Sequence, residues 1–239
     1  MSIAEKLTTI AENLPKVYDS GVDKGEGNVW DIIQNFGTRP TYDYCFFNWR
    51  GVEYIRPKYK VVYPENTSGD TFRSVFENCY KLKKIEAKYF DFSNRTPNTS
   101  ASSTGCNYAT FRNNGRLEEI EDIGLQAGGY YFTWGWCQKL HTIAVMRCVK
   151  DGTYSSPFTQ CYELQNITIE GVIGNNISFA DCSKLTIESL RSIISALYDF
   201  VENCETTTKT LTIHKDVYNK SPAQLTEEAK GKGWSVVVA

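Results

Sequence analysis

The chain has 239 residues, 41% of them hydrophobic and 23% charged, with a formal net charge of −2. That length is enough to bury a sizeable core without staples, and the lack of a basic excess argues against nucleic acid as a partner.

The opening "MSIAEKLTTIAENLPKVYDSG" alternates polar and apolar residues and contains neither the apolar core of a signal peptide nor a membrane-spanning run. No signal peptide and no membrane partner are therefore expected, and the eight cysteines are expected to stay reduced. Ile3, Leu7, Ile10, Leu14 and Val17 follow spacings of 4, 3, 4 and 3, which predicts a helical segment within residues 1–35. The stripe suits a homo-oligomeric seam over residues 3–17 as well as it suits docking on the chain's own domain, and Pro15 argues against a long unbroken helix. "DKGEGN" (23–28) reads as a turn, without the ligand spacing of a calcium loop. Residues 36–70 are dense in rings (Phe36, Tyr42, Tyr44, Phe46, Phe47, Trp49, Tyr54, Tyr59, Tyr63) and are expected to form an N-terminal cap.

A repeated phrase dominates residues 71–186. Its lines are Phe76-x-x-Cys79-x-x-Leu82-x-x-Ile85, Phe111-x-x-Asn114-x-x-Leu117-x-x-Ile120, Trp134-x-x-Cys137-x-x-Leu140-x-x-Ile143, Phe158-x-x-Cys161-x-x-Leu164-x-x-Ile167 and Phe179-x-x-Cys182-x-x-Leu185. The starts lie 35, 23, 24 and 21 residues apart. One such unit cannot bury its own apolar residues, whereas stacked neighbours share a core, so the expected architecture is a short solenoid of about five coils. After each leucine the pattern turns to period two, which predicts one short strand per coil and a parallel sheet. The 35-residue step holds the polar insertion 93–107, expected to loop out.

An open stack needs caps. Ile187, Leu190, Ile194, Leu197 and Val201, widened by Ile193 and Tyr198, predict an amphipathic helix over the last coil. Leu211-Thr-Ile213 reads as a strand, and Ser221-Pro222-Ala-Gln224 as a capping box with Ser221 as N-cap, opening a helix that stops at Gly231 or Gly233. "WSVVVA" closes residues 187–239 as a strand beside Leu211 to Ile213.

Little in the chain suggests chemistry. His141 and His214 each fall in a predicted strand, with no nucleophile signature beside them. "LEEIED" (117–122) is the solvated edge of a strand. No two cysteines lie as close as a zinc pair, and Cys79, Cys137, Cys161 and Cys182 share one repeat position, which marks them as core. Cys45, Cys106, Cys148 and Cys204 stand outside that column. No catalytic residue, cofactor or metal is expected.

The phrase, clearest in "PFTQCYELQNITI" and "SFADCSKLTI", resembles the BspA-like class of leucine-rich repeat. The flanks "VWDIIQ", "GTRPTYDY", "IRPKYKVVYP" and "TKTLTIHKDVYNKSPAQLTEEAKGKGWSVVVA" look like those of repeat proteins encoded in tail regions of phages and prophages of gut bacteria. The resemblance implies an α/β fold, a short right-handed leucine-rich-repeat solenoid with a parallel sheet. It further implies a non-enzymatic interaction module, tail-associated and binding host-surface protein or carbohydrate or other tail proteins. Such a protein would be found in the virion, or in the bacterial cytoplasm before assembly. The alternative is a bacterial protein-interaction domain with no virion role. Candidate binding residues are the outward strand positions Lys84, Glu86, Glu119, Glu121, Thr142, Asn166 and Thr168, and the aromatics Tyr130, Tyr131 and Trp136.

Overall fold

A computed structural model describes residues 17–19, 45–56, 60–62, 73–94, 107–126 and 128–239. These form strands β1 (Val17–Asp19), β2 (Tyr54–Arg56), β3 (Val61–Val62), β4 (Lys84–Ile85), β5 (Phe90–Asp91), β6 (Glu119–Ile120), β7 (Tyr130–Tyr131), β8 (Thr142–Cys148), β9 (Tyr154–Ser155), β10 (Asn166–Gly171) and β11 (Ile177–Phe179). The C-terminal part adds helix α1 (Ile187–Ser195), β12 (Lys209–Ile213), α2 (Lys215–Lys220), α3 (Ala223–Gly231) and β13 (Trp234–Val238). The architecture is mixed α/β with parallel sheets and few helices. Among the described residues no sheet closes into a barrel: the main one runs β1-β2-β4-β6-β8-β10, and β3-β5, β7-β9 and β11-β12-β13 form smaller ones.

The repeated phrase builds this arrangement directly. Every third residue points inward, and Phe76, Cys79, Leu82 and Ile85 are buried, as are their counterparts through Leu185. Equivalent rings lie on one another, Phe76 on Phe111 at 5.4 Å, Trp134 on Phe158 at 5.1 Å and Phe158 on Phe179 at 4.7 Å. Those separations are close to the inter-strand distance of about 4.8 Å, so strand pairing and ring stacking reinforce one register. Backbone ladders tie each turn to the next: Phe76 N–H donates to Thr110 O, Phe111 N–H to Thr133 O and Trp134 N–H to Pro157 O. Two residues after the aromatic the chain takes a left-handed conformation in the first four of these repeats, at Asn78 (φ 64), Asn113 (φ 63), Trp136 (φ 63) and Gln160 (φ 57), but not at Asp181 in the fifth. Asparagine tolerates that geometry, and it holds the place in two of these four repeats.

The phrase also has an earlier copy, inside the segment expected to be a cap. Phe46, Trp49, Val52 and Ile55 are buried at the same three-residue spacing, Phe46 stacks on Phe76 at 5.0 Å, and β2 pairs with β4 through Tyr54 and Lys84. Trp49 and Val52 stand where the later copies have cysteine and leucine, which disguises the match. Val17, the last residue of the predicted helical stripe, lies in β1, which pairs in parallel with β2. Residues 3–16, and with them the rest of that stripe, lie outside the described residues, as do "DKGEGN" and residues 95–106 of the insertion.

At the far end, Thr186 caps α1 by accepting from Ser189 N, and the helix lies over β10. The predicted helix through Val201 stops at Ser195. Ile173 N–H donates to Ala196 O and Tyr198 N–H to Ile173 O, so a parallel bridge claims Leu197 and its backbone, and Val201 is left 61% exposed. Lys232 Nζ then donates to Ile194 O at 2.9 Å and to Ser195 O at 3.1 Å, satisfying carbonyls that the helix leaves open. "WSVVVA" does pair with β12, in parallel, from Lys209↔Trp234 to Ile213↔Val238. The capping box does not form. Ser221 is instead the C-cap of α2, its hydroxyl donates to Tyr218 O at 2.8 Å, and α3 starts from Pro222 without a side-chain cap. His214, expected in a strand, is the N-cap of α2 and accepts from Asp216 N. Among the described residues, no helix is long and apolar enough to cross a membrane.

Candidate functional site

Four cysteines, Cys79, Cys137, Cys161 and Cys182, form a buried column through the repeats. Cys79 Sγ donates to Phe46 O at 3.0 Å, Cys137 Sγ to Phe111 O at 2.9 Å and Cys161 Sγ to Trp134 O at 3.1 Å. Each thiol thus reaches the carbonyl of the ring residue one repeat earlier. Asn114 does the same, donating from Nδ2 to Phe76 O at 2.8 Å, so it substitutes functionally for the cysteine it replaces. Burial pushes Cys79 and Cys137 up to about 12 and raises Cys161 and Cys182 well above the ordinary thiol value, so none is poised as a nucleophile. Cys148, outside the column, is buried and likewise raised to about 12, mainly by desolvation, while Cys204 is exposed. Cys45 packs partly buried against the core.

The strand face holds the predicted polar strip in register, with Lys84, Glu119, Thr142 and Asn166 side by side. It is laced to itself. Lys84 Nζ bridges Glu119 at 3.0 Å and Glu121 at 2.5 Å, and Arg56 Nε meets Glu86 at 2.8 Å. Hydrogen bonds to Glu121 and Glu119 hold the Lys84 ammonium above its ordinary value, and the same contact with Lys84 holds Glu121 below the usual carboxylate range. Arg147 takes Asp122 bidentately at 2.7 and 2.8 Å and reaches Glu170 at 3.1 Å. Three of the four carboxylates of "LEEIED", Glu119, Glu121 and Asp122, are thereby held in inter-repeat ion pairs. Thr142 Oγ1 accepts from Asn166 Nδ2 at 3.4 Å and lies 3.0 Å from His141 Nδ1, and Asn166 and Thr168 are the exposed members of the strip. His141 sits just before β8, half-buried. Among the described residues, no group of three or more His, Cys, Asp or Glu could hold a metal ion.

The aromatic cluster divides. Tyr130, expected on the surface, is fully buried: it stacks on Trp134 at 5.1 Å and its hydroxyl donates to Arg147 O at 2.7 Å. The reason is strand alternation, since Tyr130 and Tyr131 are neighbours in β7 and only one of them can face out. Tyr131 and Trp136 are half-buried on the turn face, where two rings absent from the expectation join them. Tyr108 stacks on Tyr131 at 5.1 Å, and Phe132 meets Tyr131 edge-on at 4.6 Å and Trp136 at 5.4 Å. The Arg73 guanidinium lies 4.6 Å from the Tyr108 ring centre and that of Arg112 lies 5.7 Å from Trp136. Tyr108 and Tyr131 both stand three residues before the repeat aromatic, a relation visible only once the repeats are in register. The two faces therefore differ in kind. One spends its charges on internal pairing, and the other presents rings, amides and cations.

Comparison with known proteins found no matching family model, no matching curated protein and no matching solved structure.

Proposed function

We propose that the chain is a short right-handed leucine-rich-repeat solenoid of the BspA-like class and acts as a non-enzymatic interaction module of a phage or prophage tail. Its partner is a protein or carbohydrate of a bacterial surface, or another tail protein. In-register copies of one phrase, four of them carrying a left-handed turn and leading into strands of one parallel sheet, support the solenoid reading. The observation that carries the functional reading is the run Tyr108, Tyr131, Phe132 and Trp136, half-buried rings gathered on one side of consecutive repeats. Large amphipathic rings at a surface supply contact area at low entropy cost, which is why they dominate recognition patches.

The test uses labelled full-length chain on intact cells of a panel of gut bacteria. The double variant Tyr131→Ala/Trp136→Ala should lose at least about tenfold in binding, as for truncated hot spots. Asn166→Ala/Thr168→Ala on the strand face should bind as the parent does. Loss in the second pair with retention in the first would put the interaction on the other face and defeat this reading. Antibody labelling of purified phage particles tests the tail placement: signal confined to non-virion fractions would favour an interaction domain with no virion role.

A further inference from the structure

The turn face is basic although the chain's formal net charge is −2. Three consecutive repeats carry a cation immediately before the buried leucine: Lys81, Arg116 and Lys139, all exposed. Backbone ladders on both sides fix their register. Asn78 N–H donates to Arg112 O and Asn113 N–H to Gly135 O on one side, and Glu118 N–H to Lys83 O and His141 N–H to Glu118 O on the other. The three cations therefore form a column. In the next repeat the equivalent position is Glu163, which is taken by Lys184 at 2.6 Å.

Beside this column, arginines lie over rings of the following repeat: Arg50 at 5.4 Å from the Tyr80 centre, Arg73 over Tyr108 and Arg112 over Trp136. Stacking restrains the exposed Arg50 guanidinium, which presents its edge N–H groups as a preset fork for a carboxylate. Of the acids in this region, Glu77 is buried and ion-paired with Arg112 at 2.8 Å, while Glu118, two residues beyond Arg116, is exposed. Amide pairs also cross the repeats, Asn113 Nδ2 to Asn78 Oδ1 at 2.9 Å and Gln138 Nε2 to Gln160 Oε1 at 3.2 Å, offering donors and acceptors suited to hydroxyl groups. Tyr108 is covered by Arg73 on one side and Tyr131 on the other, so it offers no open ring face for a nucleobase to stack on.

Resting on the interaction-module reading above, we propose that this face binds an acidic polysaccharide laid along the repeat axis. Its carboxylates meet Lys81, Arg116, Lys139 and Arg50, and its hydroxyls meet the amide pairs.

The probe is polygalacturonate, followed by affinity electrophoresis and calorimetry with the full chain at two salt concentrations. It should retard the protein, with affinity falling as salt rises. Lys81→Glu/Arg116→Glu/Lys139→Glu should weaken binding at least about tenfold without changing the circular dichroism spectrum. Lys209→Glu/Lys215→Glu/Lys220→Glu, with the same net-charge change elsewhere, should bind as the parent does. Equal loss in both triple variants would reduce the effect to net charge and overturn the proposal. So would the absence of retardation, equally tight binding of neutral dextran, or tighter binding of oligo-dT or polyglutamate. Dextran binding abolished by Tyr131→Ala/Trp136→Ala would remove the acidic class while leaving the interaction reading standing. A parent chain that binds neither the cells nor polygalacturonate would remove both.

Discussion

Asn114 holds the place that cysteine holds in four other repeats, and its environment explains how two unlike side chains fill it. Both donate to the carbonyl one repeat back, but Asn114 also buries Oδ1 with no hydrogen-bond partner. Asn114→Cys should therefore be at least as stable as the parent. Asn114→Ala, which strands the buried Phe76 carbonyl, should cost about 1–3 kcal/mol, read as urea midpoints. The thiols give a second expectation. A thiol raised from 9.0 to about 12 by burial, as Cys79, Cys137 and Cys148 are, stabilises the fold while both states keep the proton. Above pH 9 the unfolded chain releases its proton first, so stability should fall from there towards pH 12, and Cys79→Ala should flatten the slope of Tm against pH in that window. A disulfide reagent at pH 8 should label Cys204 quickly and leave Cys79, Cys137, Cys161 and Cys182 unlabelled until denaturant is added. Fast native labelling of that set would contradict their burial.

At the scale of elements, the last strand of the main sheet shows how an open edge is closed without another strand. Ser189 Oγ accepts from Ile167 N at 2.9 Å and Ser192 Oγ accepts from Ile169 N at 2.8 Å, so two helix hydroxyls take bonds that a following strand would otherwise take. Ser189→Ala should cost about 1–3 kcal/mol in chemical denaturation, because a buried N–H is left unmade, and Ser189→Thr should recover part of it. None of this was legible in the apolar stripe of α1, which announced the helix but not its serines. The stripe also overran the helix, because Leu197 and Val201 kept the spacing after the backbone had turned to Ile173. Ser221 misled for a related reason: one hydroxyl stood between two helix ends, and the carbonyl of Tyr218 claimed it.

For the whole molecule, the parallel arrangement was legible because one inward phrase recurs, and inward positions report burial reliably. The copy at Phe46 escaped because two of its four inward residues differ from the others. The candidate surface was half legible. Tyr131 and Trp136 announce themselves by composition, but the neighbours Tyr108 and Phe132, and the self-pairing of the strand charges, depend on register across repeats. One end of the stack has a further consequence. The turn ladder that runs from N–H to carbonyl through Trp136 and Thr159 finishes at Gln160, whose N–H goes to the Asp181 carboxylate at 2.7 Å. A side chain of the last coil there replaces the backbone carbonyl that each earlier coil supplies, as the serines of α1 replace an absent strand. Copy number is thus set by where one carboxylate and two hydroxyls stand, while interior units are exchangeable. Duplicating residues 134–157 ahead of Phe158 should give a longer chain, by 24 residues, that folds with a Tm no lower than the parent's. The same duplication placed after Asp181 should aggregate or melt early, because it would separate the terminating groups from the unit they terminate.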